Sequence, residues 1–242
     1  MKQPEKKNSR RRTFRPAELC LWLFSLVAVT VAFLLSAERD GITFAATLIG
    51  VTALIFVAKG DPIGQVLTVV FAVLYSIASY RYAYYGEMIT YLGMSAPIAA
   101  LAAIAWYRHP YEEGNREVKV AKLTGRGFLL LSLLAALVTA AFYFILRALG
   151  TANLEVSTLS VTTSFFAASL TFLRSPFYGL AYGANDLVLI VLWTLAALEN
   201  PSEWTMVVCF VIFFLNDLYG FFNWGRMKKK QSATATENTE KI

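Results

Sequence analysis

Charge is scarce in this chain. Of its 242 residues 16% are charged and 57% are hydrophobic, which leaves too few polar side chains to cover a water-soluble domain of this size. Cysteine and histidine are rarer still. Cys20 and Cys209 stand far apart inside apolar runs with no companion at ligand spacing, so neither a disulfide framework nor a metal site is expected. The single histidine, His109, borders a charged loop and reads as an interfacial residue. A phosphate-cradling glycine loop, a zinc-binding His-Glu pair and a nucleophile elbow are also missing. Their absence argues against an ATP-driven pump and the commoner hydrolases, and no cofactor is expected.

What is present is long uncharged sequence, which makes the chain an all-α integral membrane protein. Runs without charge cover 19–37, 42–58, 62–80, 88–107, 127–146 and 156–173, each close to the ~20 residues that a helix needs to cross the hydrocarbon layer. Two further runs, 175–198 and 204–225, are each interrupted once, at Asp186 and at Asp217. Eight transmembrane helices are therefore expected. The first follows "KKNSRRRTFR", as the core of a signal peptide would, but its apolar run is longer than the usual ~7–15 residues and it reads as a retained helix.

The basic residues orient these spans. With the N-terminus cytoplasmic, 19 of the 22 Lys and Arg fall on the inner side: in the basic segment 1–18, at the turns of Lys59 and Arg174, in the loop 108–126 and in the tail after 225. Only Arg39, Arg81 and Arg147 fall outside. Both termini are expected in the cytoplasm. Basic residues gathered at the ends and in one loop, rather than along an amphipathic face, suit a lipid surface and not nucleic acid. The polar tail 226–242 is expected to be disordered.

An internal repeat is visible. Residues 42–107 and 156–225 each run as a helix, a tight inner turn with a basic residue and a proline ("KGDP", "RSP"), a second helix, a short outer loop carrying Glu, and a third helix with an aromatic-rich end ("WYR", "FNWGR"). Both copies begin outside and end inside, so the repeat is parallel, and the span at 127–146 supplies the linker it requires. The expected layout is 3+1+3 with one extra helix, 19–37, in front. Such transporters place the substrate between the halves near mid-membrane.

Two Asn-Asp pairs then stand out, in "YGANDLVLIVLW" and "FFLNDLYGFFNWGR". A carboxylate at mid-membrane costs at least ~2.5–3.5 kcal/mol on insertion scales, so Asn185, Asp186, Asn216 and Asp217 are the leading site candidates. The competing reading is glue between helices, at ~0.6–2 kcal/mol per bond. Helical spacing aligns Tyr178, Tyr182, Asn185 and Asp186, Leu189 and Trp193 along one face. In the last span Phe213, Asn216, Gly220 and Asn223 form a similar stripe flanked by Asp217, Tyr219 and Trp224. Gly220 would allow close helix packing, and Trp224 also suits an interfacial belt. The first repeat offers Gln65 and Tyr75 as helpers. Aromatic faces beside amides and carboxylates suit a solute with a flat ring and several hydroxyls, and hold it more strongly if the ring is cationic; with no extended proton relay in sight, uncoupled facilitated diffusion is the simplest mechanism.

The stretches "FLNDLYGFFNWGRMKK" and "YGANDLVLIVLW", set in the 3+1+3 layout, resemble the PnuC family of nicotinamide riboside transporters. The resemblance spans about 42–230 and is strongest from 174 to 228. It implies a full-length SWEET-like fold in the bacterial inner membrane, a homotrimer, passive uptake of nicotinamide riboside and trapping by intracellular phosphorylation. It also marks Tyr219, Gly220, Asn223 and Trp224 as motif positions. Where family members often carry two tryptophans three apart, this chain has Tyr178 and Tyr182. Relatives in the superfamily carry thiamine, riboflavin or deoxynucleosides, and these remain alternative substrates. Two other classes stand beside transport: an intramembrane enzyme with Asp186 and Asp217 as acid and base, and a structural membrane subunit without a ligand.

Overall fold

The computed structural model of the chain describes residues 14–36, 39–81, 84–112 and 116–240, and they form an all-helical bundle. The basic segment up to residue 13 lies outside the described residues. The first helix, α1 (Pro16–Leu35), opens with a proline, which needs no N–H partner there, and Glu18 turns back to accept from the Arg15 N–H at 2.9 Å. It is followed by α2 (Gly41–Ala58) and α3 (Ile63–Arg81). Asp40 caps α2 by accepting from Ile42 and Thr43, and it also bonds Arg81 at 3.2 Å. One carboxylate thus closes the start of α2 and ties it to the end of α3.

The next span is broken in a particular way. Helix α4 (Tyr85–Thr90) passes through a π-helical turn, Tyr91–Ser95, into α5 (Ala96–Arg108). Pro97 has no N–H to return to the carbonyl one turn earlier, and the Ala96 N–H reaches back to the Tyr91 carbonyl instead. The span widens at that point.

Helices α6 (Gly125–Ala148), α7 (Leu154–Phe172), α8 (Tyr178–Glu199) and α9 (Trp204–Glu240) complete the bundle. Among the described residues seven helices are long and apolar enough to cross a membrane. Helix α7 has the length but not the hydropathy, because eight of its 19 residues are Ser or Thr. Those hydroxyls largely return to their own helix: Thr158, Thr162, Thr163 and Thr171 each donate to the carbonyl four residues back at 2.7–3.1 Å. A helix whose hydroxyls are satisfied internally in this way can pack between α6 and α8.

Helices α2 and α7 end in the same turn. Asp61 donates to the Phe56 carbonyl and Gly60 to Val57, and, in α7, Ser175 donates to Leu170 and Arg174 to Thr171. The turn needs a positive φ, supplied by Gly60 at 70° and by Arg174 at 58°. Two tryptophans then cross between these turns. Trp106, ending α5, donates to the Thr171 carbonyl at 3.0 Å, and Trp224 in α9 donates to the Val57 carbonyl at 2.9 Å. Their rings meet with centroids 5.2 Å apart.

The tail departs from expectation. Helix α9 does not stop at Gly225 but continues to Glu240, since no proline follows and Ala, Gln, Lys and Glu favour helix. Gln231 anchors the extension: its Nε2 donates to Glu117 and to the Val118 carbonyl, and its Oε1 accepts from the Val120 N–H at 2.9 Å. Replacing Gln231 with Ala is expected to raise amide exchange at Val120 roughly tenfold. Val118, whose N–H goes to the Gly60 carbonyl, should exchange as before. Hydrogen–deuterium exchange resolves the two amides.

Candidate functional site

The Asn-Asp pair of α8 lies in the first half of the helix, on a face that α2, α3, the π-turn and α9 surround. There they enclose a cavity of about 60 Å³, tighter than the ~300–1,000 Å³ of small-molecule sites, so the helices around it must part to admit a ligand. Its polar lining comes from Gln65 and Thr68 of α3, Ser95 of the π-turn, Ser164 of α7, Asn185 and Asp186 of α8 and Asp217 of α9. Its aromatic lining is Phe71, Tyr91, Tyr182 and Phe213. Asn185, Asp186 and Asp217 are each 2% exposed.

Asn185 is held firmly. Its Oδ1 accepts from Thr163 and Ser164, both at 2.8 Å. With the oxygen occupied, the Nδ2 donor is the part of the amide left for a ligand. The carboxyl groups of Asp186 and Asp217 come within hydrogen-bond reach of each other. The second oxygen of Asp186 has no partner. A buried acceptor without a partner is costly unless a ligand or water completes it. Gly50 allows this packing: a Cβ there would lie 2.5 Å from the Phe213 ring and 3.1 Å from that of Phe71.

Of the residues expected from sequence, the cavity unites Gln65, Tyr182, Asn185, Asp186 and Asp217. The structure places the others elsewhere. Asn216 points to α1, donating to the Ser25 hydroxyl at 2.9 Å and to the Ile212 carbonyl. Tyr219 faces the same helix, with its hydroxyl donating to Glu18. Asn223 donates to the Ala58 carbonyl and accepts from Arg15. Trp224 is fully buried against Trp106 and the end of α2 and not at an interfacial belt. Tyr178 packs edge-on against Trp224 at 4.8 Å and fills the space above Gly220, so Gly220 does serve packing. Tyr75 and Trp193 lie on the other side of the cavity, joined by a bond from the Trp193 Nε1 to the Tyr75 hydroxyl at 3.1 Å.

The cavity residues missed in sequence are instructive. Tyr91 and Ser95 enter because the π-turn widens the helix there, and the only trace in sequence is Pro97. Phe71 is indistinguishable in sequence from a lipid-facing aromatic, whereas Phe213 already stands in the stripe of the last span. Ser164 sits among many serines and threonines, and only its contact with Asn185 singles it out.

The nicotinamide mononucleotide transporter model matches residues 40–226, from just before α2 to the Trp224 region. The chain belongs to the nicotinamide mononucleotide transporter family. Membership makes it a transporter rather than an enzyme, and α1 precedes the matched region. Among relatives of the family, the nicotinamide riboside transporter PnuC of Neisseria mucosa is 24% identical over 216 residues, covering 88% of this chain and 82% of that protein. PnuC of Haemophilus influenzae is 23% identical over 218 residues, covering 90% of this chain and 93% of its own. The crystal structure of the vitamin B3 transporter PnuC superposes with a TM-score of 0.79 at 25% identity, covering 90% of this chain and 94% of that one.

Proposed function

We propose that this chain carries nicotinamide riboside across the bacterial inner membrane by facilitated diffusion, binding it in the central cavity during alternating access. The observation that carries the reading is the lining of that cavity: an acidic pair and Tyr182 and Tyr91 for a cationic pyridinium ring, with Asn185 and Gln65 for the ribose. Two similar proteins are named as nicotinamide riboside transporters. The matching turns at Gly60 and Arg174 and the reciprocal tryptophan bonds support two parallel three-helix halves, α2–α5 and α7–α9, with α6 as the linker. The distribution of basic residues supports cytoplasmic termini for the eight spans. In this reading the protein works as a homotrimer and an intracellular kinase traps the solute.

Proteoliposome uptake tests the passive mechanism. Labelled nicotinamide riboside should equilibrate across the membrane without ATP or an ion gradient, exchange with unlabelled solute in counterflow, and be recovered unchanged. Accumulation above equilibrium in an imposed proton or sodium gradient would contradict facilitated diffusion, and a chemically altered product would contradict transport itself.

A further inference from the structure

A second, smaller cavity, of about 30 Å³, lies at the end of the bundle opposite the described tail. It is walled by the start of α4, the segment 151–153 before α7, and the last turns of α8. Glu87 lies in its wall and is 4% exposed. Ser160 donates to one oxygen of this carboxyl group at 3.2 Å, while the other has no partner. Thr151, also in the wall, has an unpartnered hydroxyl. Tyr84 and Trp193 supply the aromatic side of the cavity, with ring centroids 4.9 Å apart and planes nearly perpendicular.

A carboxylate that served only to tie α4 to α7 would need one oxygen, the one that Ser160 already occupies. The second is buried, unpaired and placed at a cavity with two aromatic rings. That combination is the chemistry of a site for a flat organic cation: the ring charge answers the carboxylate and the aromatic faces bind the rest. The cavity also adjoins the central one through a single layer. Trp193 lines the outer cavity, Tyr91 lines the inner one, and Tyr75 touches both, with its hydroxyl bonded to Trp193 and its ring 4.4 Å from that of Tyr91.

We propose that the Glu87 cavity is a separate outer subsite that takes a flat monocationic ring before it passes the Tyr75–Trp193 contact into the central cavity. That the ring is the pyridinium of nicotinamide riboside rests on the function proposed above; the subsite's preference for cationic over neutral rings does not.

The test uses full-length protein in nanodiscs, titrated with 1-methylnicotinamide, the cationic ring without ribose, and with neutral nicotinamide. Wild type should bind the cation in preference to the neutral ring. Glu87→Gln, which keeps the shape and the Ser160 bond, should weaken cation binding roughly tenfold and leave neutral-ring binding unchanged. Tyr84→Leu, at a half-buried position, should weaken it by a smaller factor. Initial uptake of nicotinamide riboside at low concentration should fall with the cation affinity in both variants. Unchanged cation affinity in folded Glu87→Gln and Tyr84→Leu would overturn the proposal. So would a sodium dependence of uptake that Glu87→Gln removes without altering ring binding, since the occupant would then be an inorganic cation. If nicotinamide riboside failed to bind while thiamine, another flat cation, lost affinity in Glu87→Gln, the substrate reading would fall and the subsite would stand.

Discussion

Asn185→Ala is expected to weaken nicotinamide riboside binding by roughly 10- to 100-fold, equivalent to about 1.5–3 kcal/mol, while the protein still folds. The substitution removes the cavity's best-positioned amide. Thr163 can keep its bonds to the Leu159 and Ser160 carbonyls when the Asn185 oxygen is gone, while the buried Ser164 hydroxyl loses that acceptor, so the melting temperature should also fall, by the equivalent of ~1–3 kcal/mol. Asn216→Ala is the informative contrast. Its amide serves α1 through Ser25 and not the cavity, so affinity should stay within about twofold while the unfolding temperature drops, reflecting a lost buried bond of ~1 kcal/mol. Calorimetric titration and thermal denaturation of both variants check the pair. Equal loss of affinity in the two would mean that Asn185 acts through helix packing.

Gly179→Leu is expected to cost the fold outright. A Cβ at Gly179 would stand 2.6 Å from the Asp217 carbonyl oxygen and 2.7 Å from the Phe221 nitrogen, both of them backbone, so the clash cannot be relieved by turning a side chain. Helices α8 and α9 would have to separate. That places even Gly179→Ala at or above the upper end of the ~1–3 kcal/mol usual for overpacking. Because the displaced backbone is that of Asp217, any protein that survives should also bind more weakly. Gly183, one turn on, is the control: a Cβ there would meet the Phe214 ring at an ordinary 3.5 Å, so Gly183→Ala should behave as wild type. Size-exclusion profiles and melting curves of the three variants separate these outcomes. A monodisperse, wild-type-like Gly179→Leu would show that the α8–α9 contact is looser than described.

The contrast between Asp217 and Asn216 explains how far the sequence could be read. Membrane spans and their polar interruptions depend on composition along the chain, which a sequence displays directly. Facing does not. Neighbouring residues on a helix project about 100° apart: on α8 the cavity faces the gap between Asn185 and Asp186 and takes both, whereas on α9 it takes Asp217 while Asn216 turns to α1, so the stripe drawn through Phe213, Asn216, Gly220 and Asn223 chose the wrong neighbour. Phe213 and Asp217, four apart, are the pair that lines the cavity. On α8 the face was drawn correctly but too long: Tyr182, Asn185 and Asp186 line the cavity, while Tyr178 falls one turn below it and Trp193 two turns above. Depth along a helix face is set by neighbouring helices, which a single sequence does not reveal. The π-turn that brings in Tyr91 and Ser95 is a still subtler matter, one hydrogen bond shifted beside a proline.

The central claim is that the cavity around Asn185, Asp186 and Asp217 binds nicotinamide riboside. The most direct measurement is calorimetric titration of the full-length, detergent-purified protein with nicotinamide riboside, thiamine, riboflavin and a deoxynucleoside in parallel, repeated with Asn185→Ala. The account predicts saturable binding of nicotinamide riboside alone and its marked weakening in the variant. Saturable binding of a different vitamin, or nicotinamide riboside binding that Asn185→Ala leaves untouched, would contradict it.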